Sequence, residues 1–226
     1  EHLRESGDLD ETIVLWIADH GELLGDFGCF GKRSILDAAA NIPLIVRYPE
    51  RFEAGAVCDR VCSNVDVAPT LLGACGLETI EQHQGHDLAD IAAGGTADRP
   101  GVLCQYSQRE SGLYGLVTDE LKYVYSAADD QEWLFRRWPG EAEGRSLAGN
   151  QAYLQTTAEM RSALIEWFRR DGYTEVLDGE GWRAYPAQER PTVDDNPDHG
   201  LLYQEGRDWR EMFPEGYGPV STPHGG

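Results

Sequence analysis

Hydrophobic and polar positions along the chain predict a first strand close to its beginning. Residues 13–18 form six consecutive apolar positions with no polar residue between them. Such a continuous run is typical of a strand buried on both faces, as in a parallel sheet covered by helices. A second apolar strand is predicted over residues 42–48, which Pro49 ends, and residues 34–40 suit a short helix. This part of the chain is therefore predicted to be α/β.

Helix signals recur further along. Asp66 stands where an N-cap is expected, before a helix predicted over residues 67–75, and its carboxylate is interpreted as a cap only. Residues 153–170 give the clearest helical pattern, because apolar side chains recur there every three or four positions until Gly172 closes the run.

Shorter apolar runs bounded by turn residues predict further strands. They lie over residues 57–62, 101–105, 112–118, 121–126 and 132–135. A tight turn at residues 118–120 makes the runs on either side of it a hairpin. The helix over residues 153–170 is expected to pack on this antiparallel sheet.

A small, polar stretch at residues 93–100 is the predicted boundary between two parts. Residues 1–98 form the α/β sheet part, and residues 99–226 form an α+β subdomain with an antiparallel sheet, a packed helix and an acidic, aromatic tail. The first six residues resemble the end of a helix stopped by Gly7. Since so short a helix does not form alone, the chain is expected to begin within an element.

The tail after residue 173 is rich in turn residues and charges. Its acidic run, with Asp194, Asp195, Asp198 and His199, is interpreted as solvated. Aromatic side chains predict that the tail lies along a surface of the protein. They are Trp182, Tyr185, Tyr203, Trp209, Phe213 and Tyr217.

The charge of the chain limits its partners. Forty acidic residues stand against 17 arginines and 2 lysines, which gives a formal net charge of −21. Because phosphates are repelled by such a surface, neither nucleic acid nor an anionic membrane is an expected partner. Five cysteines are an odd number in a chain that needs no disulfide framework, so they are expected to be reduced. Localisation stays open, with the cytoplasm slightly favoured.

Candidate chemistry lies directly after the first predicted strand. Asp19 and His20 follow the apolar run, and ligands of open α/β sheets bind beyond the carboxyl ends of strands. A carboxylate and an imidazole side by side can face one cation, and Gly21 lets the chain turn away. After a Gly-punctuated loop, Lys32 follows. A polar turn without catalytic role is an equally weighted interpretation of Asp-His-Gly alone.

The wider pattern resembles the sulfatase family of the alkaline phosphatase superfamily. The resemblance lies in ADHGELLGDFGCFGKRS, then IPLIVRYP and NVDVAPTLLGACGL, and later GLVTDELKYVY, and it extends to about residue 173. It implies the C-terminal part of an alkaline-phosphatase-like α/β sheet domain followed by a small α+β subdomain. It also implies that Asp19 and His20 bind a divalent metal, Ca²⁺ or alternatively Mg²⁺ or Mn²⁺. Lys32 is implied to contact the sulfate group and the nucleophile.

Two departures from the family pattern bear on function. The family's loop has a histidine that reaches the substrate where this chain has Phe27, after Gly25 and Asp26. The family's nucleophile is a cysteine oxidised to formylglycine in Cys-x-Pro-x-Arg, and with further metal ligands it lies in an N-terminal half that this sequence does not contain. The segment from Cys29 to Arg33 imitates that motif by coincidence, since it lacks the proline.

The predicted function is therefore that of the C-terminal portion of a metal-dependent sulfatase, incomplete without its N-terminal half. The expected substrate is a small-molecule or glycan sulfate ester. A phosphodiesterase or phosphonate hydrolase of the same superfamily is one alternative, because sulfuryl and phosphoryl transfer are chemically similar. A non-catalytic binding module derived from a sulfatase is the other, with Phe27 marking loss of the substrate site.

Overall fold

A computed structural model describes residues 1–78, 83–95, 99–137 and 143–186. The helices of this part are α1 (His2–Ser6), α2 (Asp37–Ala40), α3 (Val67–Ala74), α4 (Leu88–Ala92) and α5 (Leu154–Arg170). The strands are β1 (Val14–Ile17), β2 (Leu44–Arg47), β3 (Val102–Tyr106), β4 (Leu113–Val117), β5 (Leu121–Ser126), β6 (Gln131–Arg136), β7 (Leu177–Asp178) and β8 (Gly181–Trp182). In the described part of the chain, no helix combines the length and apolar character that crossing a bilayer requires.

The first strand lies in a small sheet that is only partly covered. β1 runs antiparallel to β2, with Trp16 opposite Ile45, and within the described residues these two strands form a sheet of their own. Trp16 is 62% exposed, Ile45 55% and Val14 39%. The described residues therefore do not bury this strand on both faces, which agrees with the expectation that it belongs to a larger α/β sheet. The apolar run correctly predicted a strand, and the described residues cover its outer face only in part.

The later strands confirm the predicted antiparallel sheet. β3, β4, β5 and β6 pair in chain order, each antiparallel to the next. α5 packs on one face of this sheet, as expected from its apolar stripe, and the core between them includes Leu164, Phe168, Tyr114 and Tyr123. Consecutive residues of a strand point to opposite faces, so the neighbours of these tyrosines face away from α5.

The second face of the sheet is covered by residues just after the candidate lysine. Ile35 packs with Leu113 and Val124, and Leu36 lies in a cluster with Phe135. The sheet is therefore sandwiched between α5 and the segment that leads into α2. This explains why β4 is buried at every position, although antiparallel strands commonly face water on one side.

Part of the predicted tail packing is confirmed. The indole of Trp182 in β8 stacks on Tyr125 with ring centroids 4.5 Å apart and an angle of 4° between the rings, and Tyr185 packs against the same core. The short β7–β8 hairpin was not predicted. The remaining tail aromatics and the acidic run with Asp194, Asp195, Asp198 and His199 lie outside the described residues.

Two local predictions were wrong. Residues 57–62 form no strand; the backbone N–H of Val61 instead donates to the Asp119 carboxylate at 2.7 Å. The Asp66 side chain does not cap α3; it is fully buried, and both of its oxygens accept from the Arg99 guanidinium at 2.7 Å. A buried carboxylate needs such a partner to offset its lost hydration. This ion pair joins Asp66 to Arg99, which lies within the predicted boundary at residues 93–100. The boundary itself stays a prediction.

Candidate active site

The loop after β1 brings the predicted site residues together. Asp19 and His20 follow the strand directly, and the chain returns through a glycine-rich loop to Lys32. All three side chains line one cleft of about 360 Å³. Their convergence agrees with the sequence prediction, whereas their roles as metal ligands and sulfate contact stay predictions.

Gly21 permits the close approach that shapes the cleft. Its N–H donates to Ala39 O at 2.8 Å, and the N–H of Glu22 donates to Ala38 O at 2.9 Å, so the loop lies directly against α2. A Cβ at position 21 would stand 2.1 Å from Ala38 O, far inside contact distance. The sequence reasoning assigned this glycine to a turn; the structure shows that the space beside α2 requires it.

The partners of His20 define which ring nitrogen carries the proton. Nδ1 lies 2.7 Å from Gly21 O, and because a carbonyl only accepts, Nδ1–H is the donor. Nε2 then presents its lone pair, which accepts from the Lys32 ammonium. Asp19 Oδ2 lies 3.2 Å from the same Nε2. A carboxylate oxygen and an imidazole lone pair thus lie side by side in the cleft, an arrangement that can face one cation.

This donor set suits a divalent metal in part. A carboxylate and a neutral imidazole are both ordinary ligands, and the backbone acceptor on Nδ1 orients the ring as second partners of metal-bound histidines do. Among the described residues, no group of three or more His, Cys, Asp or Glu side chains is arranged to hold a metal ion. A hard cation such as Ca²⁺ takes about six to eight oxygen ligands. Asp19 and His20 therefore fit as two members of a larger shell.

Several residues that the sequence reasoning did not select also line the cleft. Asn64 ties the segment before α3 to the site, because its side-chain amide donates to Asp19 O at 3.1 Å. Gln105, Lys122 and Arg137 form the wall on the side of the sheet. Lys122 could have been selected from the sequence, because it lies in the GLVTDELKYVY motif and is one of two lysines in the chain. Nothing in the local pattern distinguishes Gln105 from other strand residues.

The two departures from the family pattern have different structural contexts. Phe27 adopts a left-handed backbone conformation, with φ of 55°, and its ring packs on the small apolar cluster that contains Leu23 and Leu36. Cys29 lies in the same cluster and is 8% exposed. Neither is among the described residues that line the cleft, so the imitation of the nucleophile motif places no thiol there.

Comparison with known proteins places this chain among the sulfatases. Residues 25–170 match the family described as N-sulphoglucosamine sulphohydrolase, C-terminal. Because this match covers well over half of the sequence, the chain belongs to that family. The predicted resemblance and the α/β fold class are thereby confirmed.

Similar proteins extend the comparison. The N-acetylglucosamine-6-O-sulfatase of Bacteroides thetaiotaomicron is 31% identical over 175 residues, which are 73% of this chain and 31% of that protein. The choline-sulfatase of Rhizobium meliloti is 30% identical over 190 residues, 79% of this chain and 36% of that enzyme. The chain thus spans about a third of the length of these relatives.

Solved structures give the same result. One, described as a complex with its substrate D-glucosamine-2-N,6-O-disulfate, is 28% identical with a TM-score of 0.69, covering 77% of this chain and 37% of that one. The phosphonate monoester hydrolase of Silicibacter pomeroyi is 27% identical with a TM-score of 0.64, covering 83% and 41%. Both reactions named in the sequence reasoning therefore occur among proteins of similar fold.

Proposed function

We propose that this chain is the C-terminal part of a metal-dependent sulfatase that hydrolyses sulfate esters. The observation that carries the proposal is the meeting of Asp19, His20 and Lys32 in one cleft of a chain that belongs to a sulfatase family. Hydrolysis of a sulfate ester requires stabilisation of negative charge on the transferring group and on the leaving oxygen. A cation and a fixed ammonium are suited to that task.

The residues of this chain would divide the work between them. Asp19 and His20 would hold a divalent metal, with Ca²⁺ preferred and Mg²⁺ or Mn²⁺ as alternatives, and the bound metal would offset negative charge on the sulfate and the nucleophile. Lys32 would contact a sulfate oxygen, for which its exposed position at the cleft mouth is suitable. The hydrogen bond from His20 Nδ1 to Gly21 O keeps the Nε2 lone pair directed into the cleft.

An N-terminal half of the same enzyme is the proposed partner. It would supply the formylglycine nucleophile and the remaining metal ligands, since Asp19 and His20 are too few for the coordination shell. The open face of β1 and β2 supports this proposal, because Trp16 and Ile45 lie opposite each other there and are more than half exposed. Paired apolar side chains on one face of a sheet are a site for covering structure. The 226-residue chain alone is therefore expected to be inactive.

The substrate class follows from the relatives and from the cleft. A small-molecule or glycan sulfate ester is proposed, since matched proteins are named for N-acetylglucosamine 6-O-sulfate and choline sulfate hydrolysis. Asn64, Gln105 and Arg137 line the cleft with polar groups that suit the hydroxyl groups of a sugar. Phosphonate ester hydrolysis is the second candidate, because a phosphonate monoester hydrolase has the same fold at a TM-score of 0.64.

The test uses the chain joined to its proposed N-terminal half. Asp19→Ala should abolish both divalent-metal binding and turnover, because one anionic ligand is lost. Lys32→Ala should leave metal binding intact and lower kcat by roughly 100-fold or more, as expected for loss of a group that stabilises transition-state charge. Calcium and manganese titration by calorimetry and hydrolysis of an aryl sulfate give the two readouts.

Controls separate the competing functions. A phosphonate monoester assayed beside the aryl sulfate distinguishes the two hydrolases by their relative kcat/KM. Strong turnover by the isolated 226-residue chain would overturn the proposal that another segment supplies the nucleophile. Binding of a sulfated sugar without any turnover by the longer protein would favour the non-catalytic module.

A further inference from the structure

Lys122 is a buried cation on the face of the sheet that lies next to the candidate site. It belongs to β5, and its side chain is 1% exposed. It faces away from α5, because its neighbour Tyr123 belongs to the α5 core and strand side chains alternate. The mechanism proposed above gives this lysine no role.

The ammonium of Lys122 has a complete set of acceptors. Nζ donates to Ile35 O at 3.0 Å and to Glu143 Oε1 at 2.7 Å, and it contacts Asp37 Oδ1. A lysine ammonium has three donors, so none is left for a substrate. Burying a charge has a desolvation cost that an apolar side chain of similar size avoids. The distinctive contribution of an ammonium here is that it holds three oxygen atoms in place.

Those oxygens hold the beginning of α2. Asp37 is the first residue of the helix, and its backbone N–H donates to Glu143 Oε2 at 2.6 Å. Glu143 therefore bridges Lys122 and the helix through its two oxygens. The side chain of Glu143 is 8% exposed, and burial raises the pKa of its carboxyl while the Lys122 ammonium opposes that rise.

α2 in turn is in contact with both halves of the candidate site. Ala38 O and Ala39 O accept from the N–H groups of Glu22 and Gly21, next to His20. On the other side, the segment that enters α2 is joined to Lys32, whose carbonyl accepts from the N–H of Ser34 at 2.8 Å. A displacement of this helix would therefore change the positions of His20 and Lys32 relative to each other.

We propose that Lys122 is a positioning residue. Together with Glu143 and Asp37 it holds α2 so that the side chains of His20 and Lys32 lie beside each other in one cleft. Lys122 itself does not touch the substrate. This inference rests on the proposed sulfatase function in one respect only, namely that His20 and Lys32 act on a sulfate ester.

The test measures the contact between His20 and Lys32 in the full chain. Because the chain has two lysines, ¹³C-lysine labelling of the Lys122→Met variant leaves Lys32 as the single labelled residue. The nuclear Overhauser effect between the Lys32 ε-methylene protons and the His20 ring protons should be strong in the unchanged chain. It should be lost in Lys122→Met. A fold that is intact by circular dichroism with the effect undiminished would overturn the proposal.

A matched control and a milder variant complete the test. Arg99 is also a buried cation, 6% exposed and paired with Asp66, but neither residue belongs to α2, so Arg99→Met should keep the effect. Asp37→Ala removes one acceptor whose side chain is 44% exposed, and the fold should tolerate it. It should weaken the effect at least twofold. If Lys122→Met does not fold, an unchanged effect in Asp37→Ala overturns the proposal.

This measurement is independent of turnover. The proposed function would be contradicted if the longer protein without any substitution showed no sulfatase activity, and loss of the contact in Lys122→Met would still support the positioning role. If the longer protein is active but Lys122→Met keeps the contact between His20 and Lys32, the positioning role is contradicted and the proposed function is supported.

Discussion

At the scale of residues, the hydrogen-bond partners of His20 in the candidate site allow one tautomer of its ring. His20 Nδ1 must donate to a carbonyl, and its Nε2 therefore accepts from Lys32. The carboxylate of Asp19 adds negative charge beside that nitrogen. The carbonyl of Gly21 thus fixes the tautomer in which Nε2 presents a lone pair.

Replacement of Gly21 by alanine tests the backbone position of this glycine. The added Cβ would lie 2.1 Å from Ala38 O, a backbone atom that moves only with α2. We expect Gly21→Ala to lower the free energy of unfolding by about 1–3 kcal/mol, the usual cost of overpacking. Urea denaturation measures this change.

Gly149→Ala provides the matched control. Gly149 is exposed and has nothing within 4 Å of the position of a Cβ. Its replacement should change the unfolding free energy by less than about 0.5 kcal/mol, as is usual for surface positions. Equal effects of the two substitutions would show that the close approach to α2 does not constrain the chain.

At the scale of elements, β5 concentrates ionisable groups in the core. Burial is the largest cause that raises the pKa of Tyr123, and the Glu132 carboxylate adds to it. Burial likewise raises the pKa of Tyr125, with Asp130 as the second cause. Both phenols therefore resist ionisation in the folded chain at a pH where an unfolded tyrosine, with a pKa of about 10, already ionises.

The raised pKa values of the two phenols determine how the free energy of unfolding changes with pH. Below about pH 10, Tyr123 and Tyr125 are protonated in both states and their contribution to stability is fully present. Above that pH the unfolded chain loses these protons first, so the free energy of unfolding should fall steadily as the pH rises. Urea denaturation at several values between about pH 8 and about pH 11 measures the slope.

A double variant assigns that slope to the strand. Tyr123→Phe combined with Tyr125→Phe removes both phenols and should make the alkaline loss of stability shallower than in the unchanged chain. A slope that is the same in the double variant would assign the loss to other groups.

At the scale of the whole molecule, the two sheets differ in how well they are covered. β3–β6 lie between α5 and the segment that contains Ile35, whereas β1 and β2 expose Val14, Trp16 and Ile45 on one face. Burial of such side chains releases about 1.5–3 kcal/mol each. A segment that covers the open face would therefore stabilise the structure.

Replacing Trp16 by aspartate tests whether that face is covered in a longer enzyme. In the 226-residue chain we expect Trp16→Asp to change the unfolding free energy by less than about 0.5 kcal/mol, since the side chain is already 62% exposed. In the chain joined to its proposed N-terminal half, the loss should reach about 2–3 kcal/mol. Thermal and urea unfolding of both proteins give the comparison.

Val57→Asp is the control for this experiment. Val57 is 88% exposed in a loop and is not part of the paired patch, so its replacement should be nearly neutral in both proteins. A Trp16→Asp effect that is equally small in the longer protein would show that the face stays open there.

The sequence by itself determined the elements whose signals are local. The apolar stripe of α5, the turn between β4 and β5 and the run that becomes β1 all follow from side chains within a few positions of one another. The convergence of Asp19 and His20 with Lys32 was also accessible, since a strand end followed by a glycine-rich return predicts a shared crevice. These features depend on periodicity and turn chemistry, which each segment expresses without its neighbours.

Only the tertiary structure decided which distant segments meet. Lys122 contacts Asp37 and Glu143, and Asp66 pairs with Arg99, over separations along the chain that no periodic pattern encodes. The antiparallel direction of β1 against β2 belongs with them, because an apolar run identifies a strand but not the direction of its partner. Buried charges and strand pairings are selected by the packing of the whole chain, and their physical cause appears only when the partners are in place.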